Sequence, residues 1–163
     1  MRKYLSVVLG LAVAFGIAAL VAIADEEKIP LDKVPAKVMS AAKAKFPKGT
    51  VVSAEKEDED GKVQYELVIK EGDKKFSGIF SADGKLIAIE EVVKEDEVPA
   101  AAKEAFKKKY GTDVKVTGYE KITKGEGKDQ TIDYEFQFTK GKDKFEAVFS
   151  TNGKFVSEEK VGK

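Results

Sequence analysis

The sequence contains no cysteine, no histidine and no tryptophan. Each absence removes a class of chemistry. Without a thiol there is no disulfide, no thiolate nucleophile and no cysteine to carry a lipid anchor, so stability has to come from packing alone. Without imidazole there is no Ser-His or Cys-His catalysis and no usual zinc site. The serines fall in strand-like and turn-like stretches with no evident paired lysine, and the carboxylates follow no spacing that announces an acid–base pair. The sequence therefore predicts a protein that is not an enzyme, with no catalytic residue, cofactor or metal-ligand set. Charge of one sign is also lacking, because 29 basic residues balance 29 acidic ones.

Long apolar runs are absent with one exception at the very start. Arg2 and Lys3 precede an apolar stretch from Leu5 to Ile23, and Ala22-Ile23-Ala24 stands directly before Asp25-Glu26-Glu27. A positive start, an apolar middle and a small-x-small site describe a cleaved signal peptide over residues 1–24. The same run as an uncleaved anchor fits less well, given the small-residue site and the abrupt acidic change. Loss of Arg2 and Lys3 leaves a mildly acidic mature chain of about 140 residues, enough for one sizeable core. That balance argues against nucleic acid as a partner. Lys107, Lys108 and Lys109 close a helix-like stretch, where cations suit the dipole and face solvent. Cleavage also leaves no membrane segment, so the expected location is periplasmic or secreted.

What the mature chain does have is internal likeness. Val34-Pro35 opens a helix-like stretch to Phe46, and Val98-Pro99 opens another to Tyr110. Tyr65-Glu66 answers Tyr134-Glu135, Phe76 answers Phe145, and the run from Phe80 to Leu86 answers that from Phe149 to Phe155. A period of roughly 65 residues suits a duplicated α+β unit and is too long for a solenoid. The predicted repeats are 25–97 and 98–163.

Each repeat reads as one helix and a β-meander. Val34, Val38, Ala42 and Phe46 form one apolar stripe; Val98, Ala102, Phe106 and Tyr110 form the other. Asp32 and Asp96 are the expected N-caps, with Pro35 and Pro99 in the first turns and Pro47 and Gly111 as terminators. Alternation follows: Val63, Tyr65, Leu67 and Ile69 point one way, and Ile132, Tyr134, Phe136 and Phe138 repeat the pattern. Asp83-Gly84 and Asn152-Gly153 are strong hairpin turns. Weaker first strands run over 50–57 and 114–122, so four strands per repeat make eight. The fold class is α+β, a tandem helix plus four-stranded antiparallel meander, with both helices on one face of a curved sheet.

The opposite sheet face is expected to be wet. It is the candidate partner-binding face, carrying Gln64, Glu66, Ile79, Tyr119, Glu135, Gln137, Glu146 and Val148. Its acids are expected to keep ordinary pKa values. The run Glu57-Asp58-Glu59-Asp60-Gly61 is not an EF-hand, because the register puts Lys56 first and Leu67 twelfth. Asp58, Glu59 and Asp60 are instead a candidate hairpin tip for contacts. The matching loop of the second repeat is about five residues longer and carries Gly125 and Gly127 among lysines, so specificity is expected in these loops.

The order Val-Pro, alanine-rich helix, Phe-Pro or Tyr-Gly, Val-x-Val strand, Tyr-Glu strand and Asp-Gly-Lys hairpin resembles the PepSY-like group. Those exported bacterial proteins are similar in fold to the β-lactamase-inhibitor protein. The resemblance implies an exported module that grips another protein and restrains a hydrolase or peptidase. No inhibitory residue carries over, since the matching positions are core and turn residues, and the disulfides of the inhibitor are missing here. Two functions follow as expectations: a non-catalytic module binding another exported protein, or a small-ligand or cation-binding periplasmic protein.

Overall fold

A computed structural model describes residues 27–59, 62–125 and 127–161. The expected signal segment, residues 1–24, lies outside the described residues. Among the described residues two helices and nine strands make an α+β fold: β1 (Glu27–Ile29), α1 (Ala36–Lys45), β2 (Thr50–Glu59), β3 (Lys62–Glu71), β4 (Lys74–Ser81), β5 (Leu86–Val92), α2 (Ala100–Tyr110), β6 (Lys115–Lys124), β7 (Thr131–Lys140), β8 (Asp143–Ser150) and β9 (Phe155–Val161). Among the described residues no helix is long and apolar enough to cross a membrane. The described residues divide into two compact units, one within 27–92 and 122–132, the other within 93–121 and 133–161.

In the first unit β1 to β5 lie side by side in chain order, each pair antiparallel. The expected alternation holds in β3. Leu67 and Ile69 join Val34, Val38, Ala42, Ala54 and Phe80 in one buried cluster, with Tyr65, Phe46 and Phe76 packed against it. The apolar stripe of α1 thus meets one face of its sheet, the arrangement that lets a short helix of modest intrinsic stability persist.

The second unit, which holds most of β6 and β7 and all of β8 and β9, orders them in the same way. Its core is aromatic. Phe106 of α2 stacks on Phe136 with centroids 4.5 Å apart and meets Phe138 edge-on at 5.1 Å. Phe149 joins both Phe106 and Phe136 edge-on. Such offset and edge contacts suit the ring quadrupole and stabilise beyond the area they bury.

Three local expectations change. β1 is a ninth strand, too short for a period-two signal. Asp32 and Asp96 are not N-caps: each sits in a one-turn 3-10 segment, and Pro35 and Pro99 occupy the cap positions with no side-chain cap bond. The prolines fix the extended entry geometry themselves, which leaves the aspartates one turn too early. The turn glycines carry more than a hairpin. A Cβ on Gly84 would lie 2.8 Å from the Lys37 carbonyl oxygen, and one on Gly153 would lie 2.6 Å from that of Ala101. In both units the β-turn therefore presses on the first turn of the helix, at φ 86° and 82°.

Candidate functional site

Strand register sets the candidate face. Across the first unit Lys28, Glu55, Glu66, Ile79 and Ala88 pair in succession, forming one row from β1 to β5. Two residues along, Val68, Ser77 and Glu90 form the next row, and Glu57 and Gln64 lie on the other side of Glu66. All point away from Leu67 and Ile69, and so away from α1. In the second unit Gln137, Glu146 and Glu159 pair across β7, β8 and β9, while Glu135 pairs with Val148. Gln137 also reaches β6: its Nε2 donates to Glu120 Oε1 at 3.2 Å and to Glu135 Oε1 at 3.3 Å. The side chains Gln64, Glu66 and Ile79 are therefore gathered in one unit, and Glu135, Gln137, Glu146 and Val148 in the other.

This face is not the wet surface that alternation suggested. Glu66 and Glu135 are each 1 % exposed, Gln64, Ile79, Glu146 and Val148 are buried, and Gln137 is half-buried. Period two separates two faces but carries no information on which of them meets water. Tyr119 is corrected as well. Its ring packs edge-on against Phe136 at 5.4 Å, on the α2 side, because it follows the opposite parity to Glu120. The tip residues stand apart from both rows: Asp58 is exposed, Glu59 closes β2, and Asp60 lies outside the described residues.

Burial changes the acids. Desolvation raises Glu66 to about 8, helped by the neighbouring Glu57 and Glu55 charges and opposed by the Ser77 hydroxyl. Desolvation lifts Glu120 to about 7, partly offset by the Gln137 amide. Glu135 lies well above the usual carboxylate range, through burial and then the charges of Glu146 and Glu120. These acids thus hold protons at or near neutral pH, contrary to the expectation of ordinary values. The Ser77 hydroxyl and Glu57 lie against the Glu66 carboxyl, and Glu120 Oε2 is buried.

Sequence reasoning missed Glu55, Glu57, Ser77, Glu90 and Glu120 as members of these rows. A signal existed for two of them: Ser77 follows Phe76 as Glu146 follows Phe145, and Glu90 lies four residues after Leu86 as Glu159 does after Phe155. The rows can hold protons or positively charged groups. Among the described residues no three acidic side chains come together in a way that would hold a metal ion.

The sequence profile of the family described as "Putative beta-lactamase-inhibitor-like, PepSY-like" matches residues 22–88 and, overlapping them, 65–157. A "putative periplasmic" protein from Bacteroides eggerthii superposes with a TM-score of 0.61 at 18 % identity, over 78 % of this chain and 88 % of its own. A DUF2874 family protein from Bacteroides ovatus gives 0.61 at 15 % identity, over 79 % and 89 %. A BLIP-like protein from Bacteroides fragilis gives 0.57 at 17 % identity, over 79 % and 88 %. These likenesses are likenesses of fold. No curated protein matches the chain in sequence.

Proposed function

Because the chain belongs to the PepSY-like, β-lactamase-inhibitor-like family, we propose that it is an exported, non-catalytic binding module for another envelope or secreted protein, and an inhibitor where that partner is a hydrolase or peptidase. Export rests on the leader-like residues 1–24 and agrees with the periplasmic description of the structural neighbours. The two-copy reading, one helix with four strands in 25–97 and again in 98–163, rests on the internal likeness of the sequence; the family profile also matches twice, over overlapping stretches.

The observation that carries the reading is the pair of acidic rows. A sheet that only had to be stable would place threonine or valine where Glu66 and Glu135 stand, because burying a carboxyl group without full compensation costs several kcal/mol. The chain keeps an acid at both matching positions, and perturbed acids of this kind gather at working sites. Gln64, Glu66 and Ile79 in the first unit, and separately Glu135, Glu146 and Val148 beside the half-buried Gln137 in the second, are buried, so in this reading each row backs a contact made at its own rim. A partner would approach from the half-buried rim at Glu55 and Glu57. The same rows favour a second reading, a periplasmic binder of a small cationic ligand.

The test immobilises residues 25–163 and recovers bound protein from an envelope extract, then measures the recovered partner's hydrolytic rate with and without the chain. A stoichiometric partner that is slowed supports inhibition. A stoichiometric partner with unchanged activity supports a binding module alone. Absence of any stoichiometric partner at micromolar chain removes the protein-binding reading and leaves the small cation.

A further inference from the structure

We propose that the first unit binds a small carboxylic acid whose apolar body is about the size of a phenyl ring. The body enters a cavity between the C-terminal half of α1 and strands β2 and β3, and Lys43 at the mouth holds the carboxylate.

The two repeats differ at the centre of their cores. Where α2 carries Phe106, stacked on Phe136 and edge-on to Phe138, α1 carries Ala42, and β3 carries Leu67 and Ile69 in place of the other two rings. The phenyl rings of the second unit thus correspond to smaller side chains in the first. Neighbouring groups do not take up the difference: a cavity of about 240 Å³ lies beside Ala42, walled by Met39, Phe46, Val51 and Ile69. Protein interiors leave few voids larger than a water molecule, so one of this size with apolar walls is a departure. An apolar cavity of about 150 Å³ stays dry and takes up benzene. Sites for drug-sized ligands begin at about 300 Å³, so the ligand here is small.

The walls are held in place by the fold. Ala42 and Ile69 are buried, and the Phe46 ring packs on that of Phe76 at 5.0 Å. The Gly49 N–H donates to the Phe46 carbonyl at 2.9 Å, which closes the turn from α1 into β2. β2 then breaks register between Val51 and Ser53, and bulges of this kind recur beside binding sites.

The mouth is basic. Lys43 and Thr50 line the cavity and are exposed. Among the described residues Lys43 has no ion pair. Residues 33–54 carry Lys33, Lys37, Lys43, Lys45 and Lys48 and no acid. Glu71, two residues beyond Ile69 on β3, does not line the cavity. An apolar floor beneath an ammonium group and a hydroxyl matches an apolar body that ends in a carboxylate, which accepts from both donors. The cavity lies on the face of the sheet turned towards α1, opposite the acidic rows, so the site does not depend on the partner-binding reading.

The test titrates phenylpropionate into the purified chain, with calorimetry for affinity and amide chemical shifts for location. Neutral phenylpropanol and acetate are the comparison ligands. One saturable site is expected for phenylpropionate, with shifts centred on residues 39–51 and Ile69. Phenylpropanol should bind there roughly two- to fivefold more weakly, the usual worth of a solvent-exposed ion pair, and acetate should not saturate the site. Lys43→Gln should reproduce that loss for phenylpropionate. Ala42→Phe supplies the ring that Phe106 supplies in the second unit, so it should abolish binding and unfold no earlier on heating than the unaltered chain. Absence of a saturable site overturns the proposal, as do shifts centred elsewhere, acetate binding as well as phenylpropionate, and unchanged affinity in Lys43→Gln. Binding that persists in a folded Ala42→Phe also overturns it. If Ala42→Phe does not fold, the shift map and Lys43→Gln decide.

Discussion

The side-chain amide of Gln137 donates to Glu120 across the β6–β7 pair at 3.2 Å, and this one contact restrains a buried acid on the neighbouring strand. The same nitrogen serves Glu135 on its own strand. A neutral amide thus stands where two carboxyl groups would otherwise face each other.

Replacing that amide tests its role. Gln137→Glu removes the donor and adds a third carboxyl, so it should destabilise by about 1–3 kcal/mol at pH 8. The loss should shrink at pH 5, where the added acid is protonated. Urea denaturation at the two pH values measures both.

The raised acids make stability fall with rising pH. Glu66 and Glu120 hold their protons more tightly folded than unfolded, so their contribution is complete below about 4.5 and is lost as the pH climbs through about 7 and about 8. The urea midpoint should drop between pH 5 and pH 8.5. Glu66→Gln should raise the midpoint at pH 8.5 and change it little at pH 5. A midpoint that instead rises with pH would contradict the burial of these groups.

Gly84 and Gly153 make a matched pair. Alanine at either meets a helix carbonyl at under 3 Å and must adopt a positive φ. Each substitution should cost about 1–3 kcal/mol, and the double mutant should show additive losses if the two turns act independently. Thermal unfolding of the three variants checks this.

Phe106 is the centre of the second unit's core, in contact with Phe136, Phe138, Phe149 and Tyr110. Phe106→Ala should cost about 3–5 kcal/mol. Tyr110→Phe keeps the ring contacts and loses only the hydroxyl bond to Glu158, so it should cost about 0.5–1.5 kcal/mol. Chemical denaturation distinguishes the two, and near-UV dichroism reports the aromatic packing.

Much of the fold was legible before the structure. The Val34–Val38–Ala42 stripe, the Leu67–Ile69 alternation and the Asp83-Gly84 turn are local patterns, and local patterns survive into the folded chain because each satisfies its own element's geometry. The candidate site was legible in part. Alternation assembled Glu66 with Gln64, and Glu135 with Gln137, on a common face. It misassigned Tyr119, because strand parity has to be carried across a turn from β7 to β6 and the weak pattern of β6 did not fix it.

What the sequence by itself determined is which residues share a face, because side-chain direction follows from the period of the backbone alone. It determined the absence of thiol and imidazole chemistry for the same elementary reason: those side chains are missing. Only the tertiary structure decided that the acidic face is buried, that Glu66 and Glu120 keep their protons into the neutral range, and that Gln137 stands between two acids. Desolvation and cross-strand contact depend on what surrounds a group in space, and sequence distance carries neither.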